Sequence, residues 1–198
     1  MQIIRLSVGA FVLAILAAST AFAEGAGIEW ETLNEEATQL YNAGKNASAL
    51  LVAKKALEIA EKSVDPDHPD VGASAYTLAL IYTNQGDYAQ AEPLYRRALQ
   101  ISEKTLGPDD PEVARDLCGL ACLYEARGQY ALAEPLYKRA LAIHEEALGP
   151  QDPYVASDLS ALADLYKAQG QYTQAELLYK RGLAIDVNAL GPYDRGHE

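Results

Sequence analysis

The chain has 198 residues, with 28 aspartates and glutamates against 16 lysines and arginines, and a formal net charge of −12. A surface with this excess of acids repels nucleic acid and anionic lipid headgroups, and it favours solubility or basic partners. The sequence contains no phosphate-binding glycine loop, no helical metal-binding histidine pair and no glycine-flanked nucleophile. We therefore expect no enzyme activity, no cofactor and no metal site.

Residues 1–23 have the layout of a secretory signal peptide. A basic start at Arg5 precedes an apolar run over residues 6–18, and the Ala-Phe-Ala sequence at 21–23 provides small residues for cleavage. The alternative is an uncleaved anchor, but the run is shorter than the roughly 20 residues that a spanning helix needs. We expect cleavage after Ala23, export to the periplasm or the medium, and no membrane insertion of the mature chain, whose net charge would be −13.

The remainder of the chain is built on a 42-residue period. Four sets of residues recur at this spacing: Pro69, Pro111 and Pro153; Gly86, Gly128 and Gly170; Tyr95, Tyr137 and Tyr179; Gly107, Gly149 and Gly191. Such a period indicates a stacked array in which each unit contacts mainly its neighbours. We predict one repeat domain over residues 24–194, followed by a tail at 195–198, with units at about 27–68, 69–110, 111–152 and 153–194.

Each unit has the pattern of two helices. In the third unit Asp110 supplies a capping side chain, Pro111 begins the first helix, and Gly128 ends it with a left-handed residue. Apolar residues then recur with helical spacing from Tyr130 until Gly149-Pro150 stops the second helix. Because so few residues connect the two helices, they must be antiparallel, which predicts an all-α fold of stacked hairpins.

Two residue types carry expectations about packing. Pro93 and Pro135 fall in the second helix of their units, and we expect them near its start because an interior proline costs about 3 kcal/mol. Helical spacing also predicts that nine tyrosines at three repeated positions belong to the core. These are Tyr82, Tyr124 and Tyr166; Tyr88, Tyr130 and Tyr172; and Tyr95, Tyr137 and Tyr179.

The two outer units differ from each other. The first is degenerate and replaces the repeated tyrosines, as expected of a terminal unit that meets solvent on one side. The last unit keeps the inner pattern, in which Leu183, Ile185 and Leu190 match positions that inner units bury against the following repeat. We expect these three residues to form an exposed, adhesive apolar edge.

The repeated residues resemble the tetratricopeptide repeat. The third unit carries Leu120-Ala121-x-x-Tyr124, Gly128-x-Tyr130 and Ala133-x-x-x-Tyr137-x-x-Ala140, and the neighbouring units repeat this pattern. The 42-residue spacing and the Leu-Gly-Pro-x-Asp-Pro joint are similar to the longer subtype found in kinesin light chains and many bacterial proteins. The resemblance implies a right-handed α-solenoid of about four repeats, whose concave face is lined by the first helix of each pair and binds peptides or protein surfaces.

The same resemblance selects a partner-binding groove on the concave face, at Asn34, Thr38, Tyr41, Tyr76, Leu80, Asn84, Arg115, Glu125, Asp164 and Lys167, with Cys118 and Cys122 in the same register. We expect Tyr41 and Tyr76 to anchor the partner, and Arg115 and Lys167 to orient its acidic groups. The alternative is that these are solvated positions left over once the core is assigned. Positions that often hold asparagine in peptide-binding members carry Tyr76-Thr77 and Cys118-Gly119 here, which disfavours clamping of an extended backbone.

Cys118 and Cys122 are the only cysteines, and export would permit a disulfide. Four residues apart on one helix, their Cβ atoms would lie roughly 5–6 Å apart, whereas a disulfide prefers about 3.8 Å. Free apolar thiols, a strained internal bridge and intermolecular pairing therefore stay open. Metal binding is disfavoured because two thiolates need further ligands, and no histidine is placed to supply them.

The sequence thus favours an exported scaffold that binds a protein or peptide partner in a concave groove, with no nucleic acid partner. The alternative is a structural subunit of a cell-envelope assembly, a homo-oligomer that stacks through the apolar edge of its C-terminal repeat.

Overall fold

The computed structural model describes residues 28–189, and eight α-helices without a strand make up this part of the chain. The predicted signal peptide, Leu190 and the tail lie outside the described residues. The helices are α1 (28–42), α2 (Asn46–Ser63), α3 (Pro69–Asn84), α4 (Tyr88–Leu106), α5 (Pro111–Ala126), α6 (Tyr130–Ala147), α7 (Pro153–Ala168) and α8 (Tyr172–Ala189). Helix α3 packs on α4, α5 on α6 and α7 on α8, while α2 on α3, α4 on α5 and α6 on α7 join successive hairpins. Ala37 of α1 packs with Ala49 and Ala53 of α2. The predicted all-α repeat solenoid is confirmed.

The helix starts follow from local sequence. Proline is the first residue of α3, α5 and α7, and the residue before it caps the helix. Asp110 Oδ1 accepts a hydrogen bond from the backbone N–H of Glu112 at 2.8 Å, and Asp152 repeats this contact. His68 fills the same role through Nδ1, which accepts from the backbone N–H of Asp70 at 3.2 Å. These contacts satisfy amides that the first turn leaves without a helical partner.

A glycine with positive φ ends the first helix of each hairpin. In the third unit Gly128 has φ of 69°, and the N–H of Gln129 bonds back to the Tyr124 carbonyl at 2.8 Å. Only glycine adopts this backbone without strain, so the turn is short and the second helix folds back directly.

The prolines of the second helices lie deeper than expected. The α4 and α6 helices begin at Tyr88 and Tyr130, so Pro93 and Pro135 fall in the second turn and not at the start. Each removes one helical hydrogen bond, to the carbonyl of Ala89 or of Ala131. These prolines and alanines are all exposed, so water can satisfy the freed carbonyls.

The prediction that all nine repeated tyrosines are core residues is only partly correct. Tyr95, Tyr124 and Tyr137 are buried, whereas Tyr172 is 70% exposed. The remaining five are half-buried: Tyr82, Tyr88, Tyr130, Tyr166 and Tyr179. The helix of the following repeat covers Tyr95 and Tyr137, and no further described helix covers Tyr179, which has the same place in the period.

Close packing of two rings explains a glycine inside α5. The rings of Tyr76 and Tyr95 meet edge to face with centroids 5.5 Å apart. A Cβ atom on Gly119 would lie 2.6 Å from Tyr95 Cε1 and 2.8 Å from Tyr76 Cε2. One repeat later, Cys118 and Ala161 replace the bulky tyrosine and the glycine.

A polar residue is buried at the same period position of three successive repeats, at Ser74, Asp116 and Asp158. Each has a different partner. Trp30 Nε1 donates to Ser74 Oγ at 2.5 Å, and Arg115 Nη2 lies 3.1 Å from Asp116 Oδ1. His144 Nδ1 lies 2.6 Å from Asp158 Oδ2 in the third pair, where both side chains are buried.

None of the helices that the structure describes is both long and apolar enough to cross a membrane.

Candidate partner-binding groove

The groove residues of α5 lie on one side of that helix. Their spacings of three, four and three residues place them on one helical face: Arg115, Cys118, Cys122 and Glu125. Two concave pockets lie along this face, and most of the predicted groove residues line one or the other.

The first concavity, here called the tyrosine pocket, lies between α1, α3 and α5. It has a volume of about 250 Å³. Six of the predicted groove residues line it together with Ala73 and Thr77: Asn34, Thr38, Tyr41, Tyr76, Leu80 and Arg115. The structure therefore brings together side chains from three repeats that are up to 81 residues apart in sequence.

The Tyr76 ring forms a firm wall of the tyrosine pocket. The Arg115 guanidinium carbon lies 4.6 Å from its centroid, in a cation–π contact, and the Tyr95 ring supports it from another side. Burial raises the pKa of the Tyr76 hydroxyl to about 12. Tyr76 is thus a neutral, half-buried aromatic surface with little freedom to move, as expected of an anchor residue.

The charge of Arg115 is already balanced. Its Nη1 lies 2.6 Å from Glu112 Oε2, and its Nη2 lies 3.1 Å from Asp116 Oδ1. Burial raises the pKa of the Asp116 carboxyl, and the Arg115 charge partly opposes this rise. With two carboxylates beside it, Arg115 has no excess positive charge for an acidic partner, so the geometry does not favour the role that the sequence suggested.

The second concavity, here called the acidic pocket, lies between α5, α6, α7 and the start of α8. It has a volume of about 570 Å³. Its lining combines four predicted groove residues with two tyrosines and small alanines: Cys122, Glu125, Asp164, Lys167, Tyr137, Tyr172, Ala161 and Ala168.

Tyrosine hydroxyls hold both carboxylates of the acidic pocket. The Tyr137 hydroxyl lies 2.8 Å from Glu125 Oε2 and 3.0 Å from Cys122 Sγ. The Tyr179 hydroxyl donates to Asp164 Oδ1 at 2.5 Å, and this bond raises the pKa of Tyr179 to about 12. Both tyrosines come from second helices, so the sequence assigned them to the core and missed their place in the site.

Two of the predicted groove residues line neither pocket. Asn84 is exposed at the end of α3, where its Oδ1 accepts a hydrogen bond from Asn46 Nδ2 at 2.9 Å. The Cys118 thiol turns toward α7 and donates to Asp158 Oδ1 at 3.3 Å, and burial raises the pKa of this thiol.

Cys118 and Cys122 are both free thiols. Within residues 28–189, no group of three or more His, Cys, Asp or Glu side chains is placed to hold a metal ion.

The apolar edge of the last repeat differs in part from the prediction. Leu183 is 63% exposed and Val187 57% exposed, next to a shallow concavity of about 400 Å³ that includes Tyr179. Ile185 is buried, contrary to the expectation, because it packs against Val155 and Leu159 of its own hairpin. The exposed apolar edge is therefore formed by Leu183 and Val187, without Ile185.

Comparison with known families identifies the repeat. The model of the tetratricopeptide repeat matches residues 71–146 and 123–186, and a second model of this repeat matches residues 32–70. Since these matches cover most of the sequence, the chain belongs to the tetratricopeptide repeat family. Proteins of this family commonly mediate protein–protein interactions and are generally not enzymes. No curated protein matches the sequence.

Solved structures share the fold at low sequence identity. BtubC (BKLC) from P. vanneervenii is 23% identical with a TM-score of 0.73, over 85% of this chain and 67% of that one. A kinesin-light-chain-like protein from Podosopora anserina is 24% identical with a TM-score of 0.68, over 89% and 88% of the two chains. Aspartyl phosphate phosphatase F from Bacillus subtilis is 19% identical with a TM-score of 0.71, but this chain covers only 42% of it. The expected similarity to kinesin-light-chain repeats is confirmed for the fold.

Proposed function

We propose that the protein is an exported interaction scaffold that binds a segment of a partner protein in the groove formed by the tyrosine pocket and the acidic pocket. The observation that carries this proposal is the convergence of Asn34, Tyr41, Tyr76 and Arg115 on one concavity, although they come from three different repeats. The proposal is supported by the character of this lining, in which two tyrosine rings and a guanidinium offer a partner both aromatic and polar contacts. Export is supported by the layout of residues 1–23 alone.

Peptide display on the mature protein tests the groove. Peptides selected from a random library should bind the wild type, and the double variant Tyr76→Ala/Arg115→Ala should lose them because the aromatic wall and its support are removed. A matched control removes a tyrosine and an arginine that line neither pocket, as Tyr154→Ala/Arg181→Ala. Circular dichroism confirms that both variants keep their helices. Equal peptide binding by the wild type and both double variants contradicts the groove assignment.

The N-terminal residue of the protein recovered from outside the cytoplasm tests export. The proposal requires a mature chain that begins at Glu24. Recovery of the chain from the cytoplasm with Met1 in place would contradict it.

A second candidate function is self-association through α8, which exposes Leu183 and Val187 on one side. Light scattering over a concentration series should then show a mass that rises with concentration for the wild type and stays monomeric for Leu183→Glu. Leu51→Glu is the matched control, because Leu51 is a similarly exposed leucine on α2, at the other end of the array. A wild type that stays monomeric at high concentration rejects this candidate.

A further inference from the structure

We propose that the acidic pocket receives a lysine or arginine side chain of the partner segment. This inference rests on the proposed function and adds the chemistry of the partner at one of its two contact points. The features that carry it are the charge of the pocket, the fixed geometry of its two carboxylates, and the aromatic ring at its edge.

Each of the two carboxylates of this pocket contacts a tyrosine hydroxyl. Glu92 and Glu134 also contact a tyrosine hydroxyl, but Glu92 is paired with Arg96 and Arg127, and Glu134 with Lys138. Within residues 28–189, neither Glu125 nor Asp164 forms an ion pair. Lys167 also lines the pocket, so its lining has an excess of one negative charge. A cation from a partner complements this charge, whereas an acidic partner is repelled.

The tyrosine hydroxyls position these carboxylates for a ligand. Tyr137 contacts Glu125 only at Oε2, and Tyr179 contacts Asp164 only at Oδ1. In the described part of the chain, Glu125 Oε1 and Asp164 Oδ2 have no hydrogen-bond partner, so each carboxylate keeps one oxygen for an incoming donor. Because the hydroxyls already restrict both side chains, binding loses less side-chain entropy than it would with mobile surface acids.

An organic cation suits this pocket better than a metal ion. Ca²⁺ requires six to eight oxygen ligands, and two carboxylates held by phenols fall far short of that number. The ring of Tyr172 is 70% exposed at the pocket edge, where it can contact the stem or the charged head of a lysine or arginine. The pocket volume of about 570 Å³ accommodates such a side chain whole.

The two pockets also set a spacing for the partner. Arg115 at the tyrosine pocket and Glu125 at the acidic pocket are ten residues apart on α5, which corresponds to about 15 Å along the helix. An extended segment covers this distance in about four to five residues. The partner would therefore place an apolar or aromatic residue in the tyrosine pocket and a basic residue about four or five positions away.

The test uses the peptides selected on the mature wild-type protein. We expect lysine or arginine to be enriched at one position of these peptides. Glu125→Gln/Asp164→Asn should weaken binding about ten-fold and reduce its dependence on salt, because both pocket charges are removed. Glu146→Gln/Asp109→Asn is the control with the same change of charge at exposed positions that line neither pocket, and it should bind as the wild type does. Replacing the enriched basic residue by norleucine should cause the same loss on the unchanged protein.

The outcomes separate the inference from the proposed function. Peptides that require Tyr76 but show no basic preference, and bind Glu125→Gln/Asp164→Asn as tightly as the wild type, overturn the inference and leave the groove in place. Peptides that bind without any dependence on Tyr76, Arg115, Glu125 and Asp164 overturn both. The norleucine peptide decides the question even if the charge variant unfolds, because it leaves the protein unaltered.

Discussion

Alanine in place of Gly119 is expected to destabilise the protein, although alanine is normally the better helix residue. The new methyl group would lie 2.6 Å from Tyr95 Cε1 and 2.8 Å from Tyr76 Cε2, well inside van der Waals contact. Tyr95 is fully buried and cannot move away without displacing the core around it. The substitution therefore sets local helix preference against ring packing.

The two effects have different sizes. In a helix interior, alanine is favoured over glycine by about 1 kcal/mol. Inserting a methyl group into a well-packed core costs about 1–3 kcal/mol, and two ring contacts below 3 Å place this site in the upper part of that range. We expect a net loss of about 1–2 kcal/mol in the free energy of unfolding.

Urea unfolding followed by circular dichroism measures this loss, and the neighbouring repeat supplies two comparisons. Ala161→Gly, at the same place one repeat later, should lose about 1 kcal/mol because helix preference alone opposes it. The double variant Tyr76→Cys/Gly119→Ala recreates the pair found at Cys118 and Ala161. It should be more stable than the two single changes predict by about 1 kcal/mol, because the small side chain gives the new methyl group room.

The opposite result has a clear meaning. If Gly119→Ala is about 1 kcal/mol more stable than the wild type, helix preference governs the site. The two rings would then not pack over this glycine. Additive effects in the double variant would also contradict the packing argument.

Three other predictions concern the last repeat, a buried acid and the thiols. Gly182→Ala should stabilise the protein by up to about 1 kcal/mol in urea unfolding, because its Cβ would meet the Ala156 carbonyl at a tight but adjustable 3.3 Å; a loss would show that α8 cannot shift. Burial raises the pKa of the Asp116 carboxyl above its ordinary 3.8. The contribution of Asp116 to stability is therefore largest below pH 3.8, and it is lost as the pH rises through the pKa that the carboxyl has in the folded protein. The stability of Asp116→Asn relative to the wild type should therefore increase with pH above 3.8, and a constant difference would contradict this. Mass spectrometry after alkylation at pH 8 should find Cys122 modified before Cys118; burial raises the pKa of both thiols, but Cys122 is exposed, whereas Cys118 is half-buried and the neighbouring Asp158 carboxylate raises its pKa further. The reverse order would contradict this.

Local sequence was sufficient to predict the helices and their ends. Proline after a capping residue, and glycine where φ must be positive, act within a few residues of the backbone they control. Burial could not be predicted in the same way, because it depends on what covers a residue. Tyr95 and Tyr179 hold the same place in the period, yet among the helices that the structure describes a following one covers Tyr95 and none covers Tyr179. Ile185 was misplaced for a related reason, since its own hairpin buries it.

For the site, the positions carried over from the repeat family selected residues that the structure brings into two pockets. They could not show which of the charged side chains are already paired within the protein. The two acids that pair with Arg115 are close to it in the sequence, Glu112 three residues before it and Asp116 one residue after it. Their pairing changes what this arginine can bind. Tyr137 was missed for another reason. Its ring is part of the core while its hydroxyl reaches Glu125, and a classification of whole residues as core or surface cannot express this double role.

Two of the buried polar contacts join successive repeats with different chemistry, since Trp30 of α1 donates to Ser74 of α3 and His144 of α6 contacts Asp158 of α7. Near-identical repeats are at risk of pairing with the wrong neighbour while the chain folds, or of exchanging hairpins between two molecules. If α7 docked against α2 instead of α6, Asp158 would face Ala60 in place of His144, and its buried carboxylate would lose the imidazole partner. Losing one partner of a buried pair costs about 3–5 kcal/mol, enough to disfavour such misassembly. At this joint the order of the repeats is thus favoured from inside the stack, without any contribution from the groove surface.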